Sequence, residues 1–133
     1  MAAAKAAFPK WNALGAEKRK PYLMRLAQLM LEAKGELAHL ESMNLGRTLA
    51  DTVNEVLFQA NTLEYYAVTA ADVGGDATRM PEEGMLGVEV KQPFGMMGCL
   101  LPWNVPITQF VWKAGAAVAV GTSETCLELN DSR

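Results

Sequence analysis

The stretch "CLLPWNVP", Cys99 to Pro106, decides how this chain is read. An apolar run stops at Pro102, a Trp and an Asn follow, and a second proline closes the segment. Upstream, "MMGCLLP" is a continuous apolar run, the pattern of a strand buried on both faces. Downstream, Val105 to Val120 reads as a helix, with Pro106 tolerated only in its first turn and Gly121 ending it. Ahead of the run, "GVEVKQP" alternates Val88 and Val90 with Glu89 and Lys91, as a half-exposed strand does, and Pro93 and Gly95 make a turn. Strand, turn, buried strand and helix in that order begin a parallel α/β sheet. "PWNVP" then sits at the carboxyl end of a strand, just before a helix, where open α/β sheets bind ligands. Two readings of Asn104 stand at this point. It caps the following helix, or its amide N–H is aimed at a developing negative oxygen. Trp103 likewise reads as a packing residue or as a ligand contact.

The first half of the chain has helical periodicity. Ala2 to Phe8 form a short helical start that Pro9 is expected to interrupt. From Glu17 to Lys34, apolar residues at Tyr22, Leu23, Leu26, Met30 and Ala33 trace one face. Gly35 punctuates, and Leu37, Leu40 and Met43 continue a short helix that Gly46 ends. From about Thr48, Leu49, Val53, Val56, Leu57, Ala60, Leu63 and Ala67 line a third face. "DVGGDATRMPEEG", Asp72 to Gly84, reads as a loop. Three parts follow: a helical part over residues 1–73, a loop and bridging strand over 74–93, and a strand–helix unit with a tail over 94–133.

Composition limits the function. The 133 residues are half hydrophobic, enough for a packed core, and 12 basic against 15 acidic residues leave a net charge of -3. That balance offers no basic footprint for nucleic acid. No apolar stretch approaches the ~18 residues of a membrane span, and "MAAAKAAFPKW" has no long apolar signal core. A soluble, cytoplasmic protein is expected. Two cysteines, Cys99 and Cys126, point to no disulfide framework. With one histidine, His39, neither a His-rich metal site nor a Ser-His-Asp triad is expected, and no metal ligands are assigned.

The blocks "AAFPKW", "RLAQLMLEAKGELAHLESMNLGRTLAD", "EV", "LEYYA" and "KQPFGMMGCLLPWNVPITQFVWKAGAAVAVG" carry a resemblance. In this order, from Ala6 to Gly121, they are similar to the N-terminal part of the NAD(P)-dependent aldehyde dehydrogenase superfamily. The most specific piece is the Pro-x-Gly…Pro-Trp-Asn-x-Pro…Trp-Lys block from Pro93 to Lys113. The fold implied is α/β: an N-terminal helical layer followed by the start of a parallel dinucleotide-binding sheet.

The resemblance also implies a chemistry. Family members oxidise an aldehyde to a carboxylic acid with NAD or NADP. A cysteine thiolate attacks the carbonyl, hydride passes to the nicotinamide, and water releases the acid. The Asn of the Pro-Trp-Asn block donates to the oxyanion, a role that falls on Asn104. Leu101, Pro102, Trp103 and Asn104 would line the NAD(P) site. Glu55 takes the place of a carboxylate that in some members helps bind a monovalent cation, and a surface or capping role is expected for it here. The family's nucleophilic cysteine, general-base glutamate and Gly-rich loop have no counterpart in these residues. Cys99, inside an apolar strand, reads as structural, and His39 as a surface residue. After Gly121 the family's Asn-Thr-Val-Val-x-Lys-Pro-Ser-Glu is replaced by "TSETCLELNDSR", with Leu127 at the lysine position and Asn130 at the glutamate position. This tail lacks a buried-strand pattern. The expectation is therefore part of an aldehyde dehydrogenase, inactive alone, with an aldehyde as the parent's substrate and association into homo-oligomers. The alternative is a non-catalytic binding or assembly module derived from the same family.

Overall fold

In a computed structural model the described residues are 2–128. Four helices come first: α1 (Ala2–Ala13), α2 (Gly15–Glu32), α3 (Lys34–Leu45) and α4 (Leu49–Thr69), closed by a 3₁₀ turn over Ala70–Asp72. An antiparallel hairpin of β1 (Ala77–Arg79) and β2 (Leu86–Val88) follows. Then come β3 (Met96–Leu101), α5 (Pro106–Phe110), a π turn (Val111–Gly115), α6 (Ala116–Ala119) and β4 (Ser123–Glu128). β3 and β4 pair in parallel, Met96 opposite Ser123 and Leu101 opposite Glu128. The helical layer followed by a parallel strand pair with a helical crossover is the expected α/β class.

Local chemistry sets the helix ends. Thr48 caps α4: its Oγ1 accepts from the Asp51 N–H at 3.2 Å and donates to the Asp51 carboxylate at 2.7 Å. An acid in the first turn also suits the positive end of the helix dipole. Gly46, at φ 70°, closes α3 in the left-handed conformation that glycine adopts without strain. Pro9 does not interrupt α1, contrary to the sequence expectation. It removes the bond its own N–H would give to the Lys5 carbonyl. Both residues are exposed, so water takes that bond. Trp11 then anchors the helix, its Nε1 donating to the Val118 carbonyl at 2.9 Å. The break between α2 and α3 falls at Ala33, not at Gly35, which lies in the first turn of α3.

The core joins Ala27 and Met30 of α2, Ala38 of α3, Val56, Ala60 and Leu63 of α4, and Val111 of the π turn. Alanines on three helices let the backbones approach closely. Gly115 does the same for the π turn: a Cβ there would lie 2.9 Å from Leu63 Cδ2. The expected apolar faces need correction. Tyr22, Leu26, Leu40, Met43 and Leu49 are exposed, while Arg19, Glu41, Thr52 and Gln59 turn inward. The small alanines at the contacts fix which stripe faces in, and the bulkier residues fall one position to the side. Thr52 is satisfied there, its Oγ1 donating to the Ala38 carbonyl at 2.9 Å.

Three strand expectations also change. The Asp72–Gly84 loop contains β1, and "GVEVKQP" is strand only to Val88, with Val88 and Val90 both exposed. β3 is not buried on both faces. Cys99 and Leu101 point inward and Leu100 outward, because the helical layer covers one face of the pair. The tail does form a strand. Its start is pinned by backbone and side chain together: Ser123 N–H donates to the Gly95 carbonyl at 2.9 Å and Ser123 Oγ to the Ala4 carbonyl at 2.8 Å. Pairing with a partner distant in sequence outweighs its weak local pattern. No described helix is long and apolar enough to cross a membrane.

Candidate functional site

β3 delivers the chain to the PWNVP segment. Leu101, the last strand residue, is buried. Pro102 is half-buried, Trp103 is 54% exposed and Asn104 is exposed. Pro106 opens α5 at its first position, where its missing N–H costs nothing. The N-cap of that helix is Val105, at φ -152° and ψ 61°, and no side chain caps it. The capping reading of Asn104 is thereby overturned. A valine occupies the capping position and Asn104 is held one residue too early, so its amide stays at the surface. Lys113 ties the crossover back to the strand end, its Nζ donating to the Leu100 carbonyl at 2.6 Å. An apolar cavity of about 280 Å³ adjoins the segment, lined by Leu101, Pro106, Ile107 and Phe110 with Leu26, Met30 and Leu37.

Directly under α5 lies a polar cluster. Arg47 forms an ion pair with Glu55, whose side chain is only 9% exposed. Thr108 Oγ1 donates to Glu55 Oε1 at 2.6 Å, and Gln59 Nε2 donates to Thr108 Oγ1 at 2.9 Å. Glu55 is thus neither a surface residue nor a cap. It is the acceptor that joins the start of α4 to α5. Bonding to Glu55 also raises the Arg47 pKa. Glu41, 3% exposed, completes the cluster, with neither carboxyl oxygen in a hydrogen bond; Gln59 Oε1 is likewise unpaired. Burial first, then the Glu55 charge, pushes the Glu41 pKa above the ordinary carboxylate range. The nearby Ile107 N–H and Arg47 pull more weakly the other way.

The remaining reactive side chains stand apart from this segment. Cys99 is buried within β3, its Cα opposite that of Cys126 on β4. His39 is exposed on α3, as expected. No group of three or more His, Cys, Asp and Glu suited to a metal exists among the described residues. Asn130 lies outside the described residues. Sequence reasoning missed Glu41, Gln59 and Thr108. The signal was spacing: Gln59 stands three residues after Val56, and Glu41 three after Ala38, on inward stripes.

The family model for the aldehyde dehydrogenase family matches residues 1–125. The chain belongs to the aldehyde dehydrogenase family. It is 34% identical over 119 residues to glutarate-semialdehyde dehydrogenase of Pseudomonas putida, covering 90% of this chain and 25% of that one. It is 33% identical over 119 residues to an NADP(+) succinate-semialdehyde dehydrogenase of Escherichia coli, again covering 90% and 25%. Among solved structures, PnpE in complex with nicotinamide adenine dinucleotide superposes with a TM-score of 0.88 at 35% identity, over 96% of this chain and 26% of that one. This aldehyde dehydrogenase chain therefore spans about a quarter of the length of the relatives it matches.

Proposed function

We propose that this aldehyde dehydrogenase chain supplies the oxyanion-donor loop and part of the cofactor groove for NAD(P)-dependent oxidation of an aldehyde to a carboxylic acid. The observation that carries the reading is the Asn104 amide, exposed and uncapped where β3 hands over to α5. A neutral amide donates to a tetrahedral oxyanion without offering a proton of its own. One such donor is worth ~3 kcal/mol of barrier. The segment's open backbone and the exposed ring of Trp103 suit a flat ligand lying across the strand end. Leu101, Pro102, Trp103 and Asn104 are the residues we assign to the groove. The dinucleotide, when bound, supplies the hydride acceptor. The residues of this chain orient the carbonyl and stabilise its oxygen.

Asn104 assists a nucleophile and cannot replace one. We do not assign that role to Cys99, because it is buried within β3 and buried structural cysteines are poor nucleophiles. We therefore expect the chain alone to bind cofactor weakly and to turn nothing over. Association through the exposed β2 edge is the second reading, favoured by the exposure of Leu86, Val88 and Val90 and by Phe94, which is 94% exposed.

The test is an assay of the purified chain with NAD+ or NADP+ and short aldehydes, followed at the absorbance of the reduced cofactor, beside calorimetric titration of each cofactor. We expect heat from cofactor binding and no reduction. Turnover would refute the inactive-alone reading, and absence of binding at millimolar cofactor would refute the groove assignment.

A further inference from the structure

A cavity of about 390 Å³, sharing no residue with the Asn104 loop, opens where the α1–α2 junction meets the 3₁₀ turn and the Lys91–Phe94 segment. Arg19 lines it and is itself 6% exposed. Its Nε donates to the Ala119 carbonyl at 3.0 Å and its Nη1 to the Asn12 carbonyl at 3.4 Å. Those two bonds clamp the end of α6 to α1. Gly121, at φ 98°, makes room for the clamp, since a Cβ there would lie 3.1 Å from Nη1. A guanidinium carries five N–H groups, so the clamp uses two and leaves three. Among the described residues no carboxylate pairs with Arg19, and burial alone shifts its pKa, downward.

The rest of the lining has the same bias. Lys91 stands at the cavity, its Nζ 3.5 Å from Glu89 outside the lining; Asn12 and Gln92 add amides, and no acid lines the cavity itself. Ala70 and Val73 give it an apolar wall. A buried cation without a counter-charge is costly until an anion completes it. The planar guanidinium binds carboxylate or phosphate oxygens in bidentate fashion, and the apolar wall favours an acid with a hydrocarbon end. A purely structural arginine would account for the two bonds to carbonyls. It would not account for the three spare donors or for a cavity whose lining holds no acid.

We propose that this cavity binds a small organic carboxylate, held by the spare N–H groups of Arg19, drawn in by Lys91, and resting its hydrocarbon end on Ala70 and Val73. The site is independent of the aldehyde-oxidation reading, and its test uses neither cofactor nor aldehyde. Butyrate and acetate are titrated into the ¹⁵N-labelled full chain at low ionic strength. Saturable shifts are expected for the amides of residues 12–19 and 91–92, with butyrate binding about three- to tenfold tighter than acetate because two more methylenes meet the wall. Lys91→Gln, at an exposed side chain, is expected to weaken butyrate about two- to fivefold with unchanged circular dichroism. Arg19→Lys is expected to abolish binding. If that variant loses its fold, Lys91→Gln decides the matter. Shifts scattered over surface lysines, equal affinity for the two acids, or a Lys91→Gln chain that binds as the parent does would each overturn the proposal.

Discussion

The Asn104 loop and the cluster beneath it are adjacent and opposite in character. Above, a neutral amide is exposed and makes no structural bond. Below, Glu41, Glu55, Gln59 and Thr108 are withdrawn from water, and Glu55, Gln59 and Thr108 are bonded between α4 and α5. On the reading proposed above, the Asn104 amide keeps its hydrogens for a developing charge rather than for holding the loop. Rigidity has to come from α5, and Thr108 on Glu55 is where α5 is fastened. The two regions divide the work: one presents, the other holds.

That division can be broken from below with the largest effect. Glu55→Ala leaves Arg47 and Thr108 without their acceptor and should cost about 2–3 kcal/mol of unfolding free energy in urea titration. Thr108→Val removes the fastening but leaves the ion pair, and should cost about 1–2 kcal/mol by the same measurement. Glu41→Gln tests the pH behaviour. The folded-state pKa of Glu41 lies above its unfolded value, so the folded state holds the proton more tightly. Stability that this group contributes is present at low pH and is lost as pH rises from the ordinary glutamate pKa of ~4.3 through the raised folded value. The variant should flatten that part of the stability–pH curve, and an unaltered slope would show that Glu41 titrates normally. Smallest of all, Asn104→Ala should change stability by less than about 0.5 kcal/mol, as exposed substitutions outside structural bonds do.

Legibility in the sequence followed the same line. The segments that determine chain direction were readable from punctuation: Gly46 and Gly121 end helices, Pro106 opens one, and the strand before Pro102 is there. The exposed segment carrying Asn104 was readable because a Trp and an Asn between prolines stand out from an apolar background. The holding cluster was not. Glu41 and Gln59 are polar residues on inward stripes, and Leu40 and Met43 are apolar residues facing water, so periodicity of hydrophobicity passed over the first pair and misplaced the second. β4 escaped for another reason. "SETCLE" has little strand character of its own, and its pairing with β3 comes from contacts with residues far away in the chain. The sequence also placed the cap of α5 on Asn104 as one alternative, and only the backbone of Val105 resolved it.

Amide hydrogen exchange at Gln109 and Val111, whose N–H groups donate to the Val105 and Ile107 carbonyls, tests the division of labour most directly. In Asn104→Ala these amides should exchange at the parent rate, while in Thr108→Val they should exchange about tenfold faster, the equivalent of ~1.4 kcal/mol of lost local protection. Faster exchange in Asn104→Ala, or none in Thr108→Val, would mean that the exposed amide holds α5 after all and is not kept in reserve for an oxyanion.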